Sequence, residues 1–210
     1  MQIDVIFQII ILIFSVIIHE VSHGIMALAW GDKTAQYEGR LTLNPIKHID
    51  WLGSVFLPLF LYISHSGFMF GWAKPVPYNP YNLRNRNIAE PLIAFVGPLS
   101  NLIVAVIFGL LIRVIPYLGL PASISIPNLL NIFSFVVLIN ISLAVFNLLP
   151  IPPLDGSKII TIFLPAKARY TFHVVSEKYG LIILFLVIVF LPDVISPIIL
   201  SLFKLIVGIN

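Results

Sequence analysis

Four apolar stretches, residues 4–30, 88–113, 127–149 and 178–208, dominate this chain of 210 residues. A helix needs about 20 apolar residues to cross the hydrocarbon of a bilayer, so each stretch is long enough to span one. A soluble core could not hide all four. Hydrophobic residues make up 59% of the chain and charged residues 10%, against about 25% charged in soluble domains. The chain therefore reads as an all-α polytopic membrane protein with about four to five transmembrane helices, forming a single integral-membrane domain over residues 1–210. The first stretch is too long for the core of a signal peptide and has no basic residue before it, so a retained helix is expected. Cysteine is absent, which excludes disulfides and thiolate ligands. The net charge is +3, with Lys and Arg spread between the apolar stretches. That spacing suits a lipid bilayer as partner and does not suit nucleic acid.

A fifth run, Trp51–Ile63, has only 13 residues and as a helix would reach about 20 Å. Charge counting decides between crossing and returning. If the run, taken as about 51–66, dips in and comes back, ten Lys and Arg fall on one face and Arg113 alone on the other, with Lys204 on neither. Full crossing leaves a near-even split. The positive-inside rule selects the re-entrant arrangement. It places the N-terminus outside and brings the ends of stretches 4–30 and 127–149 to the same cytoplasmic side. Pro192 and Pro197 interrupt the last stretch, which predicts a kink or two shorter pieces.

From Val5 to Trp30 the only formally charged residue is Glu20, in His19-Glu20-Val21-Ser22-His23. On a helix, positions 19 and 23 share a face with the carboxylate beside them. HExxH is the zinc-binding half of a metalloprotease site, and ionisable groups in hydrocarbon tend to mark function. A catalytic zinc usually takes three protein ligands and leaves a position for water. The metzincin continuation would need Gly and His where Met26 and Ala29 stand, and Glu38 lies in a polar connection. Asp155 is the better third ligand. It closes an uncharged stretch from Val114 to Leu154 and follows Pro150, Pro152 and Pro153. Those prolines stop the helix, and non-helical backbone at membrane depth is tolerated where it lines a cavity. Gly156 permits a sharp turn after the carboxylate.

The segments HEVSHG (19–24), GPLSN (97–101) and NLLPIPPLDG (147–156), in that order, resemble the site-2 protease family of intramembrane zinc metalloproteases. GRLTLNPIKHID (39–50) and FGWAKPVPYNP (70–80) look like its compact prokaryotic branch without PDZ or CBS domains. The resemblance runs from about residue 15 to 180. It implies one Zn2+ per chain on His19, His23 and Asp155, with Glu20 as general base. It also implies that Asn147 supports the substrate carbonyl or oxyanion. The expected reaction is hydrolysis of a peptide bond in or near the transmembrane segment of another membrane protein, in regulated proteolysis. The expected location is the plasma membrane of a bacterium or archaeon, with the site open to the cytoplasm. A substrate helix must then be unwound locally before its peptide bond can be attacked. Two other functions use intramembrane His and Asp. A metal-ion transporter usually carries repeated halves, and no internal repeat is visible. A catalytically inactive zinc scaffold has no need of Glu20.

Other residues carry open readings. The prolines of FGWAKPVPYNP predict an interfacial hairpin or loop, either pairing with an extended substrate or anchored by Trp72 with Lys74 reaching the headgroups. His48 with Asp50 ties a turn or serves the site. Asn101 is expected to pack helices together, while Asn140 lines the cavity or adheres to a neighbouring helix. Asn128 and Asn131 lie on the same helix as Asn140. His65, His173, Asp4, Glu90 and Asp193 are expected at interfaces.

Overall fold

The computed structural model describes residues 5–56, 59–60, 63–64, 74–119, 121 and 125–208. Asp4, His65, Trp72 and much of the expected re-entrant segment lie outside them, as does the side chain of His173. The helices are α1 (Val5–Ala29), α2 (Thr34–Tyr37), α3 (Arg86–Val114), α4 (Ile126–Asn147), α5 (Asp155–Ile160), α6 (Ala166–Phe190) and α7 (Pro192–Val207). Every regular element among the described residues is helical. Trp51–Phe56 forms one π-helical turn, and Lys74–Asn79 is non-helical with no strand partner among the described residues.

Helices α1, α3 and α4 are each long and apolar enough to span a membrane; α6 supplies a fourth span only if its two halves, bent by 71°, are taken together. The last apolar stretch is indeed divided. Its first part is the end of α6, and a new helix begins at Pro192 after a break at Leu191. Proline fits the first turn of a helix because the N–H it lacks would have no partner there.

Polar and apolar residues are arranged for lipid. Ile6, Phe7, Ile107 and Leu110 face outward, while Asn101 and Asn140 are fully buried. Hydrocarbon offers no hydrogen bonds, so buried amides must satisfy one another. Asn101 on α3 donates to Ser15 O of α1 at 3.2 Å and to Asn140 Oδ1 of α4 at 2.8 Å. Asn140 donates to Ser15 Oγ and to Val136 O, both at 2.9 Å. This knot joins the three long helices. One level away, Ala105 and Ile112 of α3, Val137 and Ile141 of α4 and Val207 of α7 make an apolar core. Arg113, at the end of α3, donates to Ile206 O at 2.9 Å and to Leu205 O. A cation thus meets the last carbonyls of α7, where the helix dipole favours it.

The connection from α1 to α3 leaves and returns at one end of α1, because Arg84 N donates to Trp30 O at 2.8 Å. Asp32, 1% exposed, anchors this junction. Its Oδ1 accepts from Thr34 N, Thr34 Oγ1 and Asn82 Nδ2, and its Oδ2 accepts from Asn79 N at 2.7 Å. Burial pushes the carboxyl up, but those hydrogen bonds outweigh it and hold it below its ordinary 3.8. The ionised form is therefore favoured in the fold. Its contribution is fully present above 3.8 and is lost as pH falls through the lower folded value. Asp32→Asn should cost about 1–2 kcal/mol at neutral pH. Thermal unfolding in detergent should show the gap between wild type and variant narrowing only on strong acidification.

Candidate metal centre

His19 and His23 lie one turn apart on the inner face of α1, and Asp155 begins α5. His19 Nε2 is 3.0 Å from Asp155 Oδ2, His23 Nε2 is 3.2 Å from the same oxygen, and the two Nε2 atoms are 3.0 Å apart. All three residues are buried.

The partners of the other ring nitrogens set what this triangle can hold. Asn101 donates through Nδ2 to Ser15 and Asn140, which turns its Oδ1 toward His19 Nδ1 at 2.7 Å. His23 Nδ1 meets Ile93 O at 2.6 Å. Both partners are acceptors, so both Nδ1 atoms carry the hydrogen, and in neutral imidazoles both Nε2 atoms are then lone pairs. Two ring lone pairs and a carboxylate oxygen converge with no proton between them. Ligands about 2.0–2.1 Å from a tetrahedral zinc stand about 3.3 Å from one another, close to the observed edges. The donor set fits Zn2+ with a fourth position left over. Asn101 and Ile93 O orient the rings in the manner expected of outer-shell partners.

Glycines allow the approach. A Cβ on Gly97 would lie 2.8 Å from His19 Cε1 and closer still to the His23 ring, so α3 presses bare backbone against both imidazoles. A Cβ on Gly156 would strike the carbonyls of Leu148 and Leu149. The turn through Pro150–Leu154 folds back tightly enough to present Asp155 only because that position is glycine.

A cavity of about 250 Å³ opens beside the triangle, lined by Glu20, Pro75, Val76, Tyr78, Asn147 and Lys158 among others. Glu20 Oε2 accepts from Val76 N at 2.8 Å. Asn147 Nδ2 donates to Leu143 O at 2.9 Å; an amide has two such hydrogens, so one remains. Lys158 Nζ stands 5.6 Å over the Tyr78 ring at the cavity wall.

The model of peptidase family M50 matches residues 7–191. The chain belongs to peptidase family M50, the site-2 protease family. Three relatives carry the name "Putative zinc metalloprotease". YwhC of Bacillus subtilis is 40% identical over 89% of this chain and 81% of its own length. Rip2 of Mycolicibacterium smegmatis is 32% identical over 69% of this chain and 52% of its own length. MJ0611 of Methanocaldococcus jannaschii is 33% identical over 69% and 63%. No solved structure matches the chain. With three spanning helices in the fold, this M50 chain is a membrane protein.

The structure brings together every residue that the sequence assigns to the site: His19, His23 and Asp155 at the triangle, Glu20 and Asn147 on the cavity wall. It does not bring His48 there. His48 is 2% exposed and bonds Thr42 O at 2.8 Å, while Asp50 accepts from Gly53 N; both tie turns. Asn128 and Asn131 are exposed, Asp193 is exposed in the first turn of α7, and Glu90 pairs with Arg86. Asn101 does more than pack helices, because it sets the His19 tautomer. It stands four residues beyond Gly97 in GPLSN, and so on the face of α3 that meets the rings. Strand addition fits the described half of the 70–80 loop poorly, since Lys74–Val76 already bonds inward. Asn101→Ala should weaken zinc binding by about 10–100-fold, read by competition with a chromogenic chelator. Gly97→Ala should also lower zinc occupancy, measured as metal per purified chain.

Proposed function

We propose that this M50 chain is an intramembrane zinc endopeptidase, with one Zn2+ per chain held by His19, His23 and Asp155. The observation that carries this reading is the triangle of convergent lone pairs with Glu20 on the wall of the same cavity. His19 stands ten residues before the end of α1, about 15 Å along the axis, which supports chemistry below the headgroups. Zinc, when bound there, supplies the Lewis acidity that makes water nucleophilic at neutral pH.

Glu20 has one oxygen held by Val76 N–H, which leaves the other to take a proton from the attacking water. The hydroxyl adds to the carbonyl carbon of the scissile peptide, and Glu20 delivers that proton to the nitrogen as the C–N bond breaks. Asn147 turns its remaining amide hydrogen to the carbonyl oxygen as charge develops on it, without importing a charge into the membrane. Polar groups of the cavity admit water, and the substrate segment enters unwound because a helical peptide bond is protected by its own hydrogen bonds. The substrate class is the transmembrane segment of a membrane protein, cut in regulated proteolysis. Ten Lys and Arg on the side of the site support a plasma-membrane orientation with the N-terminus outside and the site open to the cytoplasm.

Glu20→Gln should abolish cleavage of a transmembrane peptide while leaving zinc bound; full activity in that variant would overturn the mechanism. Asn147→Ala should lower kcat by about 10²–10³-fold at unchanged metal content. Chelator should stop cleavage and added zinc restore it, whereas metal flux in proteoliposomes without cleavage would favour a transporter.

A further inference from the structure

Two sequence motifs enter the chemistry above only through the Val76 N–H and the cavity wall beside it, and the structure makes them one unit. Arg40, from the first motif, is 6% exposed. Its guanidinium donates to Lys47 O, to Lys74 O at 2.9 Å and to Pro75 O at 3.0 Å. The next backbone N–H along the second motif, that of Val76, is the one on Glu20 Oε2. Lys74 N donates to His48 O at 2.9 Å. Three residues beyond Val76, Asn79 N donates to Asp32. The absence of a Cβ at Gly24 makes room for the Val76 and Leu41 side chains, which would lie 2.7 and 2.6 Å from one. Val76 is thus bracketed by a buried cation on one side and a buried carboxylate on the other.

A buried guanidinium is costly unless its donors are met. Arg40 forms no salt bridge among the described residues; its two terminal nitrogens are met by main-chain carbonyls instead, while Nε has no partner among the described residues. Three carbonyls from two segments fit its planar fork in one arrangement only. Pro75 and Pro77 flank Val76 and fix the backbone φ on either side without offering an N–H. The single donor between them is aimed at the base. That hydrogen bond restrains Glu20, which lines the cavity.

We propose that Arg40 is a positioning residue for catalysis: by gripping the carbonyls of Lys74 and Pro75 it holds the Val76 N–H on Glu20 and so fixes the general base. The catalytic half rests on the function proposed for Glu20; the docking of the strap does not. Val76→Cys supplies the only thiol in a chain without cysteine, at a position 6% exposed. In the full chain in detergent, adding Arg40→Ala or Arg40→Lys to Val76→Cys should raise the maleimide labelling rate about tenfold or more, as the strap opens locally. On the Val76 background, both Arg40 variants should lower kcat by about 10–100-fold, within the contribution of a positioned base. KM and bound zinc should stay within about twofold.

Unchanged labelling would show that Arg40 does not hold the strap. Raised labelling with wild-type kcat, or activity lost through KM or zinc alone, would equally sink the proposal. If the Arg40 variants do not fold, an amide-to-ester replacement at Val76 removes the N–H and also weakens the Pro75 carbonyl that Arg40 grips; the proposal needs both, so unchanged kcat there rejects it. A wild-type protein that cuts no transmembrane peptide would overturn the protease reading, while labelling would still decide the strap.

Discussion

Three lone pairs turned on one point in a low-dielectric interior repel one another unless a cation stands among them, and the surroundings of the site are arranged to make them converge. His19 and His23 spend their Nδ1 hydrogens on Asn101 and on Ile93 O, which leaves the Nε2 atoms no proton to offer Asp155. The roles propagate outward. Asn101 accepts from His19 because its amide nitrogen is committed to Ser15 and Asn140, and Asn140 is committed in turn to Ser15 and Val136. In hydrocarbon no water replaces a lost partner, so each member of the chain fixes the next.

The same economy shapes the backbone. A carboxylate carried on a continuous helix could not turn toward α1 from the end of α4. The helix therefore stops, three prolines keep it stopped, and Gly156 lets the chain fold back on the carbonyls of Leu148 and Leu149. On the opposite wall the strap Lys74–Asn79 uses prolines for the same purpose and gives its few donors to His48, Glu20 and Asp32. Both of these irregular stretches lie beside the cavity, where protein groups satisfy the backbone.

Much of this was legible in the residues. A lone formal charge in the 26 residues from Val5 to Trp30 costs too much to be incidental, so HEVSH and Asp155 stood out against their surroundings. Other features were not legible. Asn101 reads as helix adhesion because an asparagine on an apolar helix gives no indication of which neighbour it will meet. Nothing in the local sequence of Arg40 or Asp32 says that they are buried. The last apolar stretch showed its break at Pro192, but the start of α6 twenty-six residues earlier, at Ala166, lies among charged residues where hydropathy is silent.

By itself the sequence determined the solvent, three of the spans and the chemical kinds of the ligands, because those follow from periodicity and from the cost of charge in lipid, which are local properties. Only the tertiary structure decided which nitrogen of each histidine faces the metal position, which backbone N–H steadies Glu20 and which charge holds that backbone in place. Those choices depend on atoms up to 136 residues apart meeting within hydrogen-bond distance. Such meetings are set by how close two helices can come, and here by the side chains missing at Gly97 and Gly156.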